Sequence, residues 1–336
     1  MSSSAPTTII ARETIPDLPA RLDELVRSIP AGQVASYGVL ADALGNRIAA
    51  RWVAGYLIEH QRDRGLPAHR VVKVDGTLSS LLAGGIARQT RKLRAEGIRV
   101  AGEQVDIEQY GFTQFEGPRP LVELRERQKQ LHARLSLDPP RKLPDLIGGV
   151  DVSYGDGDTA VAAYTLVDRK SKQLLWSLTH SGRARFPYIS TYLAYREVPL
   201  HLELLERVQA AGKLAPVLLV DGSGILHARH LGIASHLGIV ADLPTIGVAK
   251  TLPCGSVDIT DIERREHRPV IYEQQEIARA LRPDTASTKV LYVSPGHRTS
   301  VRYAIRVVER LLASHRLPEP LYWADRLSRE QVKRER

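Results

Sequence analysis

The run Val217-Leu218-Leu219-Val220-Asp221 constrains the fold of this 336-residue chain more than any other stretch. Unbroken aliphatic sequence predicts a strand buried on both faces, as in the middle of an α/β sheet. The strand ends on a carboxylate, and a loop carrying Gly222, Gly224, His227 and Arg229 follows at once. Loops leaving buried strands are where such proteins place chemistry. An acid there suits a cation, and the basic residues behind it suit a phosphate. An Asp that only caps a following helix leaves the same trace.

A second acid favours the chemical reading. Leu146–Tyr154 is another short apolar segment, with Asp151 inside it. Residues 160–167 and 173–178 predict two further strands, joined by a turn over 168–171. A strand-borne Asp opening an antiparallel meander, with a second Asp on a later buried strand, points to a ribonuclease H-like mixed sheet. In that layout acids converge on divalent metal, which activates water and stabilises the leaving oxygen of a phosphodiester. A third acid is required, and Arg196-Glu197-Val198-Pro199 supplies Glu197 between the other two.

Five segments now fall into one order: Gly149-Val150-Asp151-Val152-Ser153-Tyr154, Pro187-Tyr188-Ile189-Ser190, Tyr195-Arg196-Glu197-Val198-Pro199, Val220-Asp221-Gly222 with His227-Ala228-Arg229, and Gly247-Val248-Ala249-Lys250. Together they resemble endonuclease V over roughly the last two-thirds of the chain. The resemblance implies a Mg²⁺-dependent nuclease that recognises deaminated adenine and cuts the second phosphodiester on its 3′ side. It implies metal-binding roles for Asp151, Glu197 and Asp221, and a place at the substrate for Gly222. Tyr188 matches an aromatic wedge that enters the duplex beside the damaged base. His227 and Lys250 match polar positions near the scissile phosphate, and His297 a position near the active site. Ser190 stands where the family usually has a second proline, and Ala228 where it usually has Pro; both bear on loop rigidity and lesion preference.

Elementary chemistry agrees. Hard oxygen ligands favour Mg²⁺, or Mn²⁺ in its place, over zinc. Converging carboxylates repel, and a divalent cation keeps them ionised. Lys250 would stabilise negative charge at the phosphate. An exposed Tyr188 in a Pro-stiffened loop could prise open a base stack.

The first hundred or so residues read differently. Residues 29–41, a glycine-containing turn and a helical segment over 50–57 predict a helix-turn-helix in a small, mostly helical domain. Leu66-Pro67-Ala68-His69-Arg70-Val71 follows. These segments resemble the DNA-binding domain of the O6-alkylguanine-DNA alkyltransferases, with Ala68 where that family has its acceptor cysteine. A methyl side chain has no lone pair, so alkyl transfer at this position is excluded. The resemblance is therefore to the alkyltransferase-like proteins, which bind damaged guanine without repairing it. It implies that Tyr37 rotates the nucleotide phosphate and that Arg51 fills the gap left by the flipped base. Arg70 is expected beside them at the substrate, or, with His69, in local hydrogen bonds only.

The formal net charge is +9, which suits a polyanionic partner. Duplex DNA with deaminated or alkylated bases is the expected partner, together with other repair proteins. The one cysteine, Cys254, excludes an intrachain disulfide and a thiolate metal cluster. No secretory segment and no long apolar span is apparent, so a cytoplasmic location with no membrane partner is expected.

The expected organisation is a loose tail over 1–15, an alkyltransferase-like domain over 16–112, a connector over 113–120 and a nuclease domain over 121–336. Helices are predicted over 121–137, 198–211, 274–281 and 300–315, and charged solvated faces over 88–99 and 328–336. Asp325 is a further acid, open to a surface or a supporting catalytic role. Two other functions fit the same residues: a non-enzymatic damage sensor, motivated by Ala68, and a nuclease for inosine-containing RNA or branched DNA.

Overall fold

The computed structural model describes residues 14–336, so most of the tail expected over 1–15 lies outside the described residues. The chain forms two compact units. The first comprises residues 15–127 together with 186–190; the second comprises 128–185 and 191–336.

The first unit opens with α1 (Leu18–Ser28), whose start is capped by the Asp17 carboxylate accepting from the Ala20 N–H at 2.9 Å. Strand β1 (Ala35–Ser36) leads into α2 (Tyr37–Leu44), and the Ser36 hydroxyl caps that helix. Gly45, in the left-handed region, turns the chain towards α3 (Ala50–His60). Strand β2 (Val71–Val72) pairs in parallel with β1. Helix α4 (Gly85–Ala95), the hairpin β3 (Val100–Ala101) and β4 (Gln104–Val105), and the short α5 (Ile107–Tyr110) complete it. The charged run over 88–99 is thus mostly helix, and Gln89 and Leu93 on its inner face are buried. The segment expected as a connector is tied down here: Arg21 donates to the Pro118 carbonyl at 3.1 Å, and Arg119 to that of Asp42 at 3.0 Å.

Helix α6 (Pro120–His132) is shorter than the helix expected over 121–137. The second unit is built on one eight-stranded mixed sheet. Strands β5 (Leu146–Tyr154), β6 (Thr159–Asp168) and β7 (Leu174–Arg183) form the antiparallel meander. Asp168 closes its turn by accepting from the backbone N–H groups of Lys170 and Ser171. After α7 (Ala194–Ala210), β8 (Leu218–Asp221) adds in parallel to β5. After α8 (Ile233–Val240), β9 (Thr245–Ala249) adds in parallel to β8. This is the ribonuclease H-like arrangement. It continues through β10 (His267–Tyr272), β11 (Gln275–Leu281) and β12 (Leu291–Pro295), with β12 antiparallel to β9.

Residues 274–281 are therefore a strand where a helix was expected. Ile277, Ala278, Ala280 and Leu281 are buried. Such a short apolar run fits a buried strand or a helix face equally well. Pairing with β10 and β12 decides it, through a tight turn in which Glu273 and Gln274 take positive φ.

Helices α7 and α8 cover one face of the sheet, while α9 (Val301–Leu311) and α10 (Glu319–Arg334) cover the other. Leu218 and Val220 pack with Leu204 and Leu237 on the first face, and Leu219 packs with Ile305 and Val308 on the second. That alternation on a doubly covered strand is why β8 reads as unbroken aliphatic sequence. No helix among the described residues is long and apolar enough to cross a membrane.

His201 on α7 is wholly buried, and neither ring nitrogen has a hydrogen-bond partner. Burial lowers its pKa to about 4. The unfolded chain takes up this proton near its ordinary value while the folded chain refuses it, so stability falls as pH drops from about 6.5 towards 4, by about 3 kcal/mol. We expect His201→Leu to remove most of that loss in denaturant unfolding measured at pH 7 and pH 4.5. Parallel pH profiles for variant and wild type would contradict this.

Candidate active site

The register of β5 and β8 brings two acids together. Val150 pairs with Val220, so Asp151 and Asp221 lie one step further along neighbouring parallel strands. Both follow the odd-numbered series that includes Ile147, Gly149 and Leu219, on the face covered by α9 and α10. Gly149 lets α10 approach: a Cβ there would lie 2.5 Å from the Pro320 carbonyl. The Thr165 hydroxyl donates to that carbonyl at 2.7 Å and fixes the start of the helix. Five residues on, Asp325 meets the two strand acids, and one carboxylate oxygen from each of the three lies within 4.8 Å of the others.

These groups are hard to keep ionised together. Burial and the charge of Asp221 push the Asp151 carboxyl well above its usual range. The Ser328 hydroxyl on α10 supports Asp151 at 3.2 Å. Lys250, just after β9, bonds Asp221 closely and lies 3.5 Å from Asp325. Burial alone would lower the Lys250 pKa, but the nearby carboxylates outweigh it and raise it. One ammonium among three acids leaves negative charge to be balanced. An all-oxygen, carboxylate-rich set of this kind fits a hard divalent cation.

Glu197 lies in the first turn of α7, is buried, and stands apart from the three-oxygen cluster. Its carboxylate accepts from the Tyr154 hydroxyl at 2.6 Å, and the Arg196 guanidinium stacks over the Tyr154 ring. Burial raises its pKa to about 7, with the Asp221 charge adding to the effect. Sequence reasoning missed Tyr154 as its partner, although Tyr154 falls inside the segment that carries Asp151.

The other expected residues divide. Gly222 takes φ 142°, a conformation that favours glycine and lets the chain turn immediately behind Asp221. Tyr188 is 65% exposed. His227 is buried, and its Nδ1 accepts from the Arg229 N–H at 3.1 Å. Burial lowers its pKa to about 4, so the ring is neutral at neutral pH. His297 does not join the acids. It adjoins Thr245, at the opposite end of β9 from Lys250, where its N–H donates to the Thr245 hydroxyl and its ring accepts from the Ser136 N–H. β12 runs antiparallel to β9 and delivers the residues that follow it, His297 among them, to that far end.

The first unit holds a separate cavity of about 360 Å³ lined by Ala68, His69, Leu66, Arg62, Arg88 and Lys92. The His69 Nε2 is 2.7 Å from Glu96 Oε1, and Arg70 donates to both Glu96 oxygens and to the Ile29 carbonyl at 2.8 Å. Despite burial, these partners pull the Glu96 pKa down to about 2. Arg70 is thus occupied inside the unit rather than held out for a ligand. The Tyr37 hydroxyl is buried beside Ser79 without reaching hydrogen-bond geometry, and burial raises its pKa. Arg51 is exposed near the start of α3.

The raised Asp151 pKa has a consequence for stability. A carboxyl whose folded pKa exceeds its unfolded value costs stability increasingly as pH rises above about 3.8, up to the folded pKa. Asp151→Asn should therefore stabilise the metal-free protein at pH 7 by about 1–3 kcal/mol, with the gain vanishing towards pH 3.5. Thermal unfolding in EDTA at both pH values checks this; a destabilised variant at pH 7 would contradict it.

With this geometry in view, the sequence matches Endonuclease V over residues 129–326, more than half of the chain. It also matches the 6-O-methylguanine DNA methyltransferase DNA-binding domain over residues 18–98. A bifunctional methyltransferase/endonuclease of Picrophilus torridus is 32% identical over 300 residues, covering 89% of this chain and 92% of that protein. The catalytic domain of human endonuclease V is similar in structure, with TM-score 0.61 and 32% identity over 66% of this chain and 98% of that one. Endonuclease V of Ciona intestinalis, solved with a 24mer DNA containing an inosine followed by a ribo-adenosine, has TM-score 0.60 and 26% identity over 65% of this chain and all of that one. The chain belongs to the endonuclease V family, a DNA-repair endonuclease preceded by an alkyltransferase-like DNA-binding domain.

Proposed function

We propose that this protein incises duplex DNA at the second phosphodiester 3′ to deoxyinosine in a Mg²⁺-dependent reaction, with Mn²⁺ able to replace Mg²⁺. The convergence of Asp151, Asp221 and Asp325 carries this reading. Those three would hold the metal, with Glu197 completing the acidic site from α7. Bound there, a divalent cation supplies Lewis acidity to the phosphoryl oxygens and lowers the pKa of water.

The chain's own residues do the rest. Lys250, kept protonated by its acidic neighbours, offsets negative charge as it builds on the phosphate. Tyr154 orients Glu197 through its 2.6 Å hydrogen bond. Tyr188 enters the stack beside the base, an action its exposure permits. The inosine-containing DNA bound by the Ciona relative supports deoxyinosine as the target.

In the first unit, Arg62, Arg88 and Lys92 around the Ala68 cavity suit a flipped alkylated guanine and its phosphates. Arg51, exposed at α3, would fill the space that base vacates. The Picrophilus relative is called a methyltransferase as well as an endonuclease. Here the residue at 68 cannot accept an alkyl group, so this unit binds without repairing.

Two experiments test these assignments. A labelled duplex with one deoxyinosine should be nicked one nucleotide beyond it in Mg²⁺ and left intact in EDTA. Asp221→Ala should slow that reaction at least about 10³-fold. Nicking by Asp221→Ala at the wild-type rate would overturn the site. Separately, the intact chain should bind an O6-methylguanine duplex yet gain no mass after incubation; a methyl adduct found by mass spectrometry would refute the binding-only role.

A further inference from the structure

The Pro187–Ser190 loop re-enters the second unit through Thr191, and that residue is held in an unusual way. Thr191 has φ 68°, a left-handed conformation that β-branched residues rarely adopt. Such a conformation persists only where the surroundings over-determine it. Here two side chains converge on its carbonyl.

Gln128, on α6 and 1% exposed, donates its amide to the Thr191 carbonyl at 3.1 Å. Arg229 donates one guanidinium nitrogen to the same oxygen and another to the Gln128 side-chain oxygen at 2.8 Å. The Arg229 N–H also donates to His227 Nδ1 at 3.1 Å, which ties the arginine to its own loop. The Arg229 guanidinium lies 4.6 Å over the ring of Tyr192, which is fully buried. The bonds interlock: Gln128 both accepts from Arg229 and donates to the carbonyl that Arg229 itself bonds.

Arg229 follows Asp221 by eight residues along one loop. We infer that Gln128 and Arg229 form a clamp on the Thr191 carbonyl that fixes the path of the Tyr188 loop, making them positioning residues for duplex opening. The inference rests on the wedge reading of Tyr188. A planar fork is needed, because it must reach two acceptors and cover an aromatic ring at once; the point charge of lysine cannot. A clamp of this kind acts on opening the base stack. It should matter little where there is no stack to open.

The test uses the full-length protein with Gln128→Leu, Arg229→Lys and Tyr188→Ala. Base opening is read without cleavage in Ca²⁺, from the fluorescence of 2-aminopurine beside deoxyinosine in a duplex. Steady-state cleavage is then measured on inosine duplex and on the inosine single strand. We expect both clamp variants to lose most of the fluorescence rise, as Tyr188→Ala does. We also expect kcat/KM on the duplex to fall about 10-fold or more, with single-strand cleavage by Gln128→Leu unchanged.

Equal losses on duplex and single strand would mean that these residues only support the fold, and the clamp would be overturned. A full fluorescence rise in the clamp variants, alongside its loss in Tyr188→Ala, would overturn the clamp and leave the wedge standing. A full rise in Tyr188→Ala would overturn the wedge reading itself and the clamp's purpose with it.

Discussion

Repulsion between carboxylates that the sheet forces together is the constraint on which the rest of the second unit turns. Parallel pairing of β5 and β8 places Asp151 and Asp221 side by side. Left in an apolar surrounding, one of them would stay protonated. Around the pair the chain has gathered an ammonium at Lys250, a hydroxyl at Ser328 and a third acid at Asp325. The amine and hydroxyl ease the repulsion and the third acid aggravates it. The net arrangement is a stable scaffold holding an unstable charge distribution, which is what a cation site requires.

The scaffold explains why positions far from the acids are restricted. Gly149 carries no side chain because the Pro320 backbone lies directly against it. Any larger residue would lift α10, and Asp325 with it. Thr165, wholly buried, serves the same end by bonding the Pro320 carbonyl. The geometry of the site is thus set partly by residues that touch no substrate.

How much of this was legible depended on the kind of signal. The strands bearing Asp151 and Asp221 were readable because doubly covered strands leave continuous aliphatic sequence. The turn at Asp168 was readable because its side chain caps its own backbone. Residues 274–281 were misread as helix because their few apolar residues suit either period, and only the neighbouring strands resolve them. Asp325 could not be placed: on a helix of mixed polarity it looks like any surface acid, and nothing local reveals that Gly149 lets the helix in. His297 was placed near the active site by resemblance alone, whereas the antiparallel β12 sets it beside Thr245, at the end of β9 away from Lys250. In the first unit, Ala68 announced a missing nucleophile, whereas the interlocking of His69, Arg70 and Glu96 required the fold to be seen.

The contribution of α10 also fixes when the site can exist during synthesis. Both strand acids, Glu197 and Lys250 have left the ribosome well before residue 325 has been added. Until then the nascent chain carries every motif that marks the family, and two adjacent acids without the third. A polypeptide interrupted between Lys250 and Asp325 would lack both the third acid and the helix that packs over β5 and β6. The order of residues along the chain thus makes α10 the last element to complete the cluster.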